Sequence, residues 1–469
     1  MKILIKGAGD LATGIAARLF RAGHRILMTE IPVPLTVRRT VAFSRAVYEG
    51  SALVEETEAQ FAGTEKEAKE ILSRGDIAVM VDPEASCRNW FRPDVIVDAI
   101  LAKKNLGTRI SDAPLVIGVG PGFTAGADCS CVVETKRGHF LGRVIWRGSA
   151  IPNTGVPGDV GGYTTERLLR ASADGIMEPK VQIGDKVEKG QITALTGGVP
   201  VYAQMPGIVR GLLQEGTEVR KGLKIGDIDA RAHSSYCHTI SDKARAVGGA
   251  VLEAVSLYEK MAGRYAFVTL AAGLGTRFGG NKLETEIDGI PLYVRALRRM
   301  QIFGGFPSYL VAAPGCMEKE ALDYGVVPVE NREPERGISH SLKLGLERAL
   351  KDNPDLKGVL FSVCDQPWID PATIQQIFNT AALHPGSIVC AGRGESRGNP
   401  VLWDRAYFLE LTALEGDRGG KQIMEKYRDK VRVVQAGEKE LRDIDVREDL
   451  PGAGRRKERR GDENYGSEA

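Results

Sequence analysis

The chain has 469 residues, 43% of them hydrophobic and 26% charged; single cores stop growing below that length, so two or more domains are expected, with ample apolar material to bury. A formal net charge of +2 leaves no footprint for nucleic acid or an anionic membrane, and no apolar stretch nears the roughly 20 residues of a membrane helix. Seven scattered cysteines behind an amino terminus that reads as strand and turn, not as a secretory leader, argue against a disulfide framework and for a reducing cytoplasm.

Lys2 to Lys6 reads as a buried strand, after which Gly7-Ala8-Gly9-Asp10-Leu11-Ala12 turns into a helix running to Ala22. A second strand, Arg25 to Thr29, ends in Glu30. Gly7-x-Gly9-x-x-Ala12, with Glu30 about 20 residues on, fits the dinucleotide fingerprint, in which glycines admit a pyrophosphate and an acidic residue meets ribose hydroxyls. Gly7, Gly9 and Glu30 are therefore candidate contacts of an NAD-like dinucleotide; a turn used for packing, or for another nucleotide, gives the same pattern. Strands Ile77–Val81, Val95–Ile100 and Leu115–Val119 continue the alternation, so residues 1–170 are expected to form a Rossmann-like, doubly wound α/β sheet.

A second glycine-rich loop, Gly118-Val-Gly120-Pro-Gly122, follows the third of these strands. Gly120 and Gly122, flanked by Lys103, Lys104, Arg137, His139 and Arg143, could receive a pterin phosphate or dinucleotide tail, or serve structure alone. Cys129 and Cys131 form a CxC pair that reads as buried thiols. His233 and His238 flank Cys237 with no companion cluster for a metal.

From Ala171 the pattern changes to short segments punctuated by glycine. IGDKVEKGQ and EGTEVRKGLKIGD form an approximate internal repeat, and residues 171–232 are expected to make a small β-barrel resembling the biotinyl/lipoyl type. The stretch from Leu195 to Tyr202 lacks the lysine of a carrier domain, so a structural or interaction role is expected. Residues 233–262 read as a helical linker, with helical spacing from Ser241 to Met261.

Strand Tyr265–Leu270 opens a domain at 263–450 and runs straight into Ala271-Ala272-Gly273-Leu274-Gly275-Thr276-Arg277-Phe278-Gly279-Gly280-Asn281-Lys282. Glycines let backbone N–H groups approach phosphate oxygens, and Arg277 and Lys282 add fixed positive charge against a triphosphate. Strand Val359–Val363 ends in Cys364-Asp365-Gln366-Pro367, placing Asp365 at a strand's carboxyl end, where α/β sheets bind ligands and where a hard oxygen donor suits Mg²⁺. Between them Gly337-Ile-Ser339-His-Ser341 leads into a helix read as Leu342–Leu350, whose amino terminus could hold an anion. The polar tail 451–469 is expected to be disordered.

The order of motifs from Tyr265 to Leu450 resembles the GT-A-like nucleotidyltransferases of the molybdenum-cofactor branch, particularly the molybdenum cofactor cytidylyltransferases. LAAGxGxRFGxxK, GxxxS, CDQP, RGNPVL (Arg397 to Leu402), GDRGG (Gly416 to Gly420) and DIDxxEDL (Asp443 to Leu450) occur in sequence, with Cys364 where glycine is usual. The resemblance implies that Ala271, Ala272, Gly273, Gly275, Arg277, Lys282 and Ser339 contact the nucleotide, that Asp365 holds Mg²⁺, and that Asp445 either is a second ligand or orients the chain. The LAAG opening points to CTP and the family to molybdopterin as acceptor. Residues 1–260 resemble the YqeB-type proteins of the selenium-dependent molybdenum hydroxylase system, through KGAGDLATGIAARL, PLTVRRTVAFSRAVYEG, VDAILAKKNLGT, GVGPGFTAGAD and ETKRGHFLGRVI.

The expectation is a cytoplasmic maturation enzyme acting on small molecules, its second half transferring CMP to molybdopterin and its first half binding or handing on the cofactor for a molybdenum hydroxylase. Another cytidylyl or sugar-phosphate transferase, a non-catalytic cofactor chaperone and an NAD-dependent oxidoreductase are the alternatives.

Overall fold

Continuous apolar runs bounded by glycines and turns set the central strands. In a computed structural model that describes residues 1–155, 161–273 and 278–451, the chain divides into two units, Met1–Ser256 and Leu257–Ala469. Both are mixed α/β structures built on largely parallel sheets. The tail expected to be disordered lies, from residue 452 on, outside the described residues. No described helix is long and apolar enough to cross a membrane.

The first unit holds β1 (Lys2–Lys6), β2 (Arg25–Glu30), β3 (Ser51–Val54), β4 (Thr57–Ala62), β5 (Ile77–Val81), β6 (Val95–Asp98), β7 (Leu115–Val119), β8 (Cys131–Val133) and β9 (Val144–Ile145) in one nine-stranded sheet of order β9-β8-β7-β6-β1-β2-β5-β4-β3. β1 is parallel to both β2 and β6. Ile3, Leu4, Ile5, Ile26, Leu27 and Met28 are wholly buried, as parallel strands covered on both faces require. The chain passes from β1 to β2, runs to the edge strand β3 and returns inward through β4 to β5, then crosses to β6 on the other side of β1, so strand order reverses between β1 and β6. In such sheets a crevice opens at the carboxyl ends there.

β6 stops at Asp98, two residues short of the expected Ile100, because the Asp98 carboxylate accepts the Ile100 N–H (3.2 Å) and Leu101 turns to φ +61. α1 (Asp10–Arg21) crosses the segment beginning α2 (Asp242–Met261) at glycines: a Cβ on Gly14 would lie 2.7 Å from that of Ala244, and one on Gly248 2.7 Å from the Gly14 carbonyl. Arg137 pairs with Asp242 through both oxygens, at 2.6 and 2.8 Å. The helix within 233–262 is thus packed onto α1 along its first turns.

Residues 168–229 form two four-stranded antiparallel sheets around one apolar core that includes Leu169, Met177, Val201, Val209 and Ile228. The two repeats place their short strands, Lys186–Val187 and Glu218–Val219, at the edges of different sheets. Gly197 and Gly198, both at positive φ, form the hairpin tip inside the stretch that lacks a carrier lysine. Ion pairs on two buried aspartates brace this core, and one of them, through Arg38, fastens an earlier segment to it. Asp227, with no exposed surface, takes Arg38 and Arg167 at 2.9 Å each, and Asp229 takes Arg210 at 3.0 Å and Arg231 at 2.7 Å.

The second unit holds β10 (Tyr265–Leu270), β11 (Ser308–Ala312), β12 (Val327–Glu330), β13 (Gly358–Val363), β14 (Ile388–Arg393), β15 (Ser396–Asp404) and β16 (Val431–Gln435) in the order β12-β11-β10-β13-β15-β14-β16. β10 is parallel to β11 and β13, while β15 runs antiparallel to β13. α3 (Leu292–Ile302) precedes β11, α4 (Ile338–Asp352) packs on β10 and β11, and α5 (Pro371–Leu383) on β14 and β15. α4 begins at Ile338 and not at Leu342, since the serines that usually interrupt a helix find partners outside it: Ser339 donates to the Gly416 carbonyl (2.6 Å) and Ser341 accepts from Asn331 (2.9 Å).

Burial alone would raise the Asp227 carboxyl, but Arg38, Lys224 and Arg167 override it and hold the group well below the usual carboxylate range. A depressed folded value means that this stabilisation is present above about pH 4 and is lost as pH falls through the folded value. Asp227→Ala removes the buried carboxylate that Arg38 and Arg167 share; thermal or urea unfolding at neutral pH should show a loss of about 3 kcal/mol.

Candidate active site of the second unit

β10 and β13 are neighbours running the same way, so the loops leaving their carboxyl ends meet. After β10, Ala271 and Ala272 are buried and Gly273 is exposed, with open space where a side chain would stand. Gly275 and Arg277 lie outside the described residues. After β13 comes Cys364, whose N–H donates to the Leu270 carbonyl at 3.2 Å, then Asp365.

Lys282 brings the predicted residues together. Its ammonium lies 2.8 Å from Asp365 Oδ2 and 3.3 Å from Asp445 Oδ1, and the Ile444 N–H donates to the Asp365 carbonyl at 3.0 Å. Beneath them Phe278, Ile287, Leu292 and Ile444 form a small apolar core of their own, capped by the Arg447 guanidinium 5.6 Å from the Phe278 ring. Ser339 is elsewhere: its hydroxyl is spent on Gly416, and a Cβ on Gly337 would lie 2.6 Å from the Gly416 carbonyl carbon. The GxxxS and GDRGG motifs therefore serve first to hold each other.

Two residues of the site were not singled out by sequence. Asp443 stands beside the cluster; partial loss of its water, then the Asp365 charge, raises its carboxyl pKa. Arg299 on α3 is buried, and its Nη1 donates to the Gln366 carbonyl at 2.9 Å, bracing the Asp365 loop from behind. Its Nη2 has no partner among the described residues, and burial pushes the guanidinium down to about 10. An arginine on the face otherwise formed by Leu292, Ala296 and Met300 was the available signal. Burial likewise pushes the Cys364 thiol up to about 12, so it is unreactive at neutral pH.

Beside the cluster a cavity of about 210 Å³ has an apolar floor that includes Leu342, Phe361 and Trp403, with Arg397, Asn399 and Lys421 also lining it. The LAAG, RGNPVL and GDRGG motifs all contribute residues to it.

In the first unit, Gly7, Gly9 and Glu30 line a cavity of about 770 Å³ at the carboxyl ends of β1, β2 and β6. Gly120 and Gly122 do not line it. Side chains there would lie 2.9 Å from Thr135 and 2.6 Å from the Lys104 backbone, so this chain itself fills the approach the glycines allow. Cys129 and Cys131 are buried, their thiols pushed up by desolvation.

A cation at the Lys282 cluster would find hard oxygen donors in Asp365 and Asp445, but among the described residues no group of three or more His, Cys, Asp or Glu is set to hold a metal. The donors therefore fit an ion shared between one or two carboxylates and substrate oxygens, which is how Mg²⁺ is commonly held, and not an all-protein cage.

Residues 267–431 match the family model of the MobA-like NTP transferase domain. Over 255 residues the chain is 50% identical to the uncharacterized protein YqeB of Escherichia coli (strain K12), covering 54% of this chain and 47% of that one. The chain thus spans about half the length of the curated relative it matches. Among solved structures, Rv0371c from Mycobacterium tuberculosis H37Rv is similar at 23% identity and a TM-score of 0.34, over 40% of this chain and 96% of that chain. The 4-diphosphocytidyl-2C-methyl-D-erythritol synthase of Anaerococcus prevotii DSM 20548 is similar at 16% identity and a TM-score of 0.34, over 43% of this chain and 99% of that chain.

The Lys282 ammonium stands between the two carboxylates, so in the absence of nucleotide it would compete with a cation that they held. Lys282→Met should tighten Mn²⁺ binding by about tenfold in titration calorimetry without nucleotide, and Asp365→Ala should weaken it by at least as much.

Proposed function

We propose that the second unit transfers CMP from CTP to molybdopterin with release of pyrophosphate, making a cytosine dinucleotide form of the cofactor for a molybdenum hydroxylase. The observation that carries this reading is the Lys282 ammonium set between Asp365 and Asp445, at 2.8 and 3.3 Å, where parallel strands end beside an apolar cavity. The MobA-like match supports nucleotidyl transfer. The LAAG opening supports CTP, and a cavity with an apolar floor and Arg397, Asn399 and Lys421 in its lining suits a flat heterocycle with an anionic substituent.

The acceptor phosphate carries about −1.5 to −2 charges at neutral pH, so one of its oxygens attacks the nucleotide α-phosphorus without a general base. The new P–O bond forms as the bond from α-phosphorus to the bridging oxygen breaks, and pyrophosphate leaves with that electron pair. Lys282, and Arg277 in the glycine-rich loop, stabilise the charge that builds toward the leaving group. Lys282 can turn from Asp445 to phosphate oxygens at small cost, because Asp445 is 55% exposed and the pair is screened by water. Mg²⁺, held by Asp365 and Asp445, supplies neutralising charge on the triphosphate when bound. Arg299 fixes the Asp365 loop from behind.

In this reading the nine-stranded sheet of the first unit is a Rossmann-like fold and residues 171–232 a biotinyl/lipoyl-like barrel without its carrier lysine. Together they receive the cofactor and hand it on.

Pyrophosphate release measured with molybdopterin, Mg²⁺ and each of CTP, GTP and ATP should be fastest with CTP. Asp365→Ala should leave the fold intact and cut turnover by at least about 10²-fold; retained turnover at saturating Mg²⁺, or no release with any nucleotide, would overturn the reading. Arg299→Met should lower kcat by about 10- to 100-fold with little change in the KM for CTP, as expected of a group that acts through Asp365.

A further inference from the structure

The cavity of about 770 Å³ in the first unit takes no part in the transfer reaction. It sits at the carboxyl ends of β1, β2 and β6, where the strand order reverses, which is the position at which open α/β sheets admit ligands. Its lining combines three features that independently describe one ligand class.

The first is a buried ammonium. Lys6 is the last residue of β1, is 8% exposed and lines the cavity. Its Nζ donates to Thr108 Oγ1 at 2.6 Å, Thr108 donates in turn to Asp98 Oδ2 at 2.6 Å, and Lys6 stands 3.4 Å from that same carboxylate oxygen. Asp98 can only accept, so the one hydroxyl proton of Thr108 is committed to it and the lysine must donate to the threonine. An ammonium has three N–H groups, and these contacts leave at least one for an anion in the cavity. A strand end that carries a near-buried lysine costs solvation, which a bound phosphate would restore.

The second is an acid at the end of the neighbouring strand. Glu30 accepts the Ala8 N–H at 3.3 Å and the Ile31 N–H at 2.7 Å, one on each oxygen. These bonds fix the carboxylate against the glycine turn and leave each oxygen a lone pair for a hydroxyl. The third is apolar exposure: Ile31, Leu35, Ile100 and Leu106 line this same cavity and are each more than a third exposed, a surface suited to a flat ring.

We propose that this cavity is a second nucleotide site, taking a pyrophosphate-linked dinucleotide with an unmodified ribose, its phosphates met by Lys6 and its ribose hydroxyls by Glu30. The carboxylate would repel a 2′-phosphate. Arg88, on another wall, spends one nitrogen, Nη1, on the Glu84 and Ala85 carbonyls at 3.1 and 3.4 Å, so the expected preference for an unmodified ribose rests on Glu30 at the end of β2. Two sources share this chemistry, a nicotinamide dinucleotide and the cytidine dinucleotide of the proposed transfer; only the second source rests on that reaction.

Titration calorimetry on the full-length chain tests the site with NAD⁺, NADP⁺ and CDP. All arms are repeated in Lys282→Met, which removes a phosphate contact of the transferase site, and in Lys6→Met, so that CDP binding kept in the first and weakened in the second reports on the first unit. NAD⁺ or CDP should bind one per chain, identifying the nicotinamide or the cytidine source respectively. NADP⁺ should bind at least about tenfold more weakly than NAD⁺ where NAD⁺ binds, and Lys6→Met should cost at least about tenfold in the affinity of whichever probe binds. Leu35→Asp, at a position 47% exposed and so safe for folding, should cost as much. Unchanged affinity in a folded Leu35→Asp chain, NADP⁺ binding as tight as NAD⁺, or no saturation by NAD⁺ or CDP at millimolar concentration would overturn the proposal.

Discussion

Three carboxylates and one ammonium crowded at the ends of β10 and β13 would, left to their charges, spread apart into water. What holds them within reach of one another is apolar packing beneath. Asp443, Ile444 and Asp445 alternate exposed, buried, exposed, so the chain turns both aspartates outward by seating one isoleucine. Ile444 packs with Phe278, which follows the glycine-rich loop, with Ile287, and with Leu292 at the start of α3. The same small core therefore positions the loop that carries Lys282, the segment that carries Asp445 and the helix that carries Arg299. The ionic contacts are consequences of that packing, since ion pairs as exposed as Lys282 with Asp445 contribute little by themselves.

Much of this frame was legible from residues alone. β1, β5, β7 and β10 were read with their observed bounds, because buried parallel strands are continuous apolar runs between turn residues and carry their own punctuation. Lys282 and Asp365 were read as one site from motif order, with Asp445 either a second ligand or a residue that orients the chain; Lys282 contacts both carboxylates. What escaped depends on contacts distant in sequence. The start of α4 was placed late because Ser339 and Ser341 look like helix breakers until Gly416 and Asn331 are beside them. The loop of Gly120 and Gly122 looks the same on paper whether a phosphate or another backbone is to approach it; here the Lys103–Lys104 backbone and Thr135 do. Arg299 was hidden among apolar residues whose pattern announced a core face.

The two units use buried charge differently. In the first, Asp227 is fully buried and shared by Arg38 and Arg167, so the network fixes how the segment around residue 38 docks onto the paired sheets. That segment follows directly on Ile31, Leu35 and Thr36 in the cavity wall, and a rigid anchor there keeps the wall in register. In the second unit the charged groups remain partly open to water, where exchanging one partner for another costs little. Fixed pairs suit architecture and exchangeable pairs suit a site whose charges must be rearranged when a substrate arrives.

The balance of charge at the Lys282 cluster also constrains what can bind. One ammonium against three ionised carboxylates is a net −2. A triphosphate brought to such a surface is repelled unless positive charge arrives with it. On the proposed reading the acidic excess is therefore what selects the metal-bound nucleotide over the bare one. On that reading Lys282 would balance part of the carboxylate charge in the empty site and would turn to the phosphates when a cation was held by Asp365 and Asp445, so a single side chain would serve both the empty and the filled arrangement.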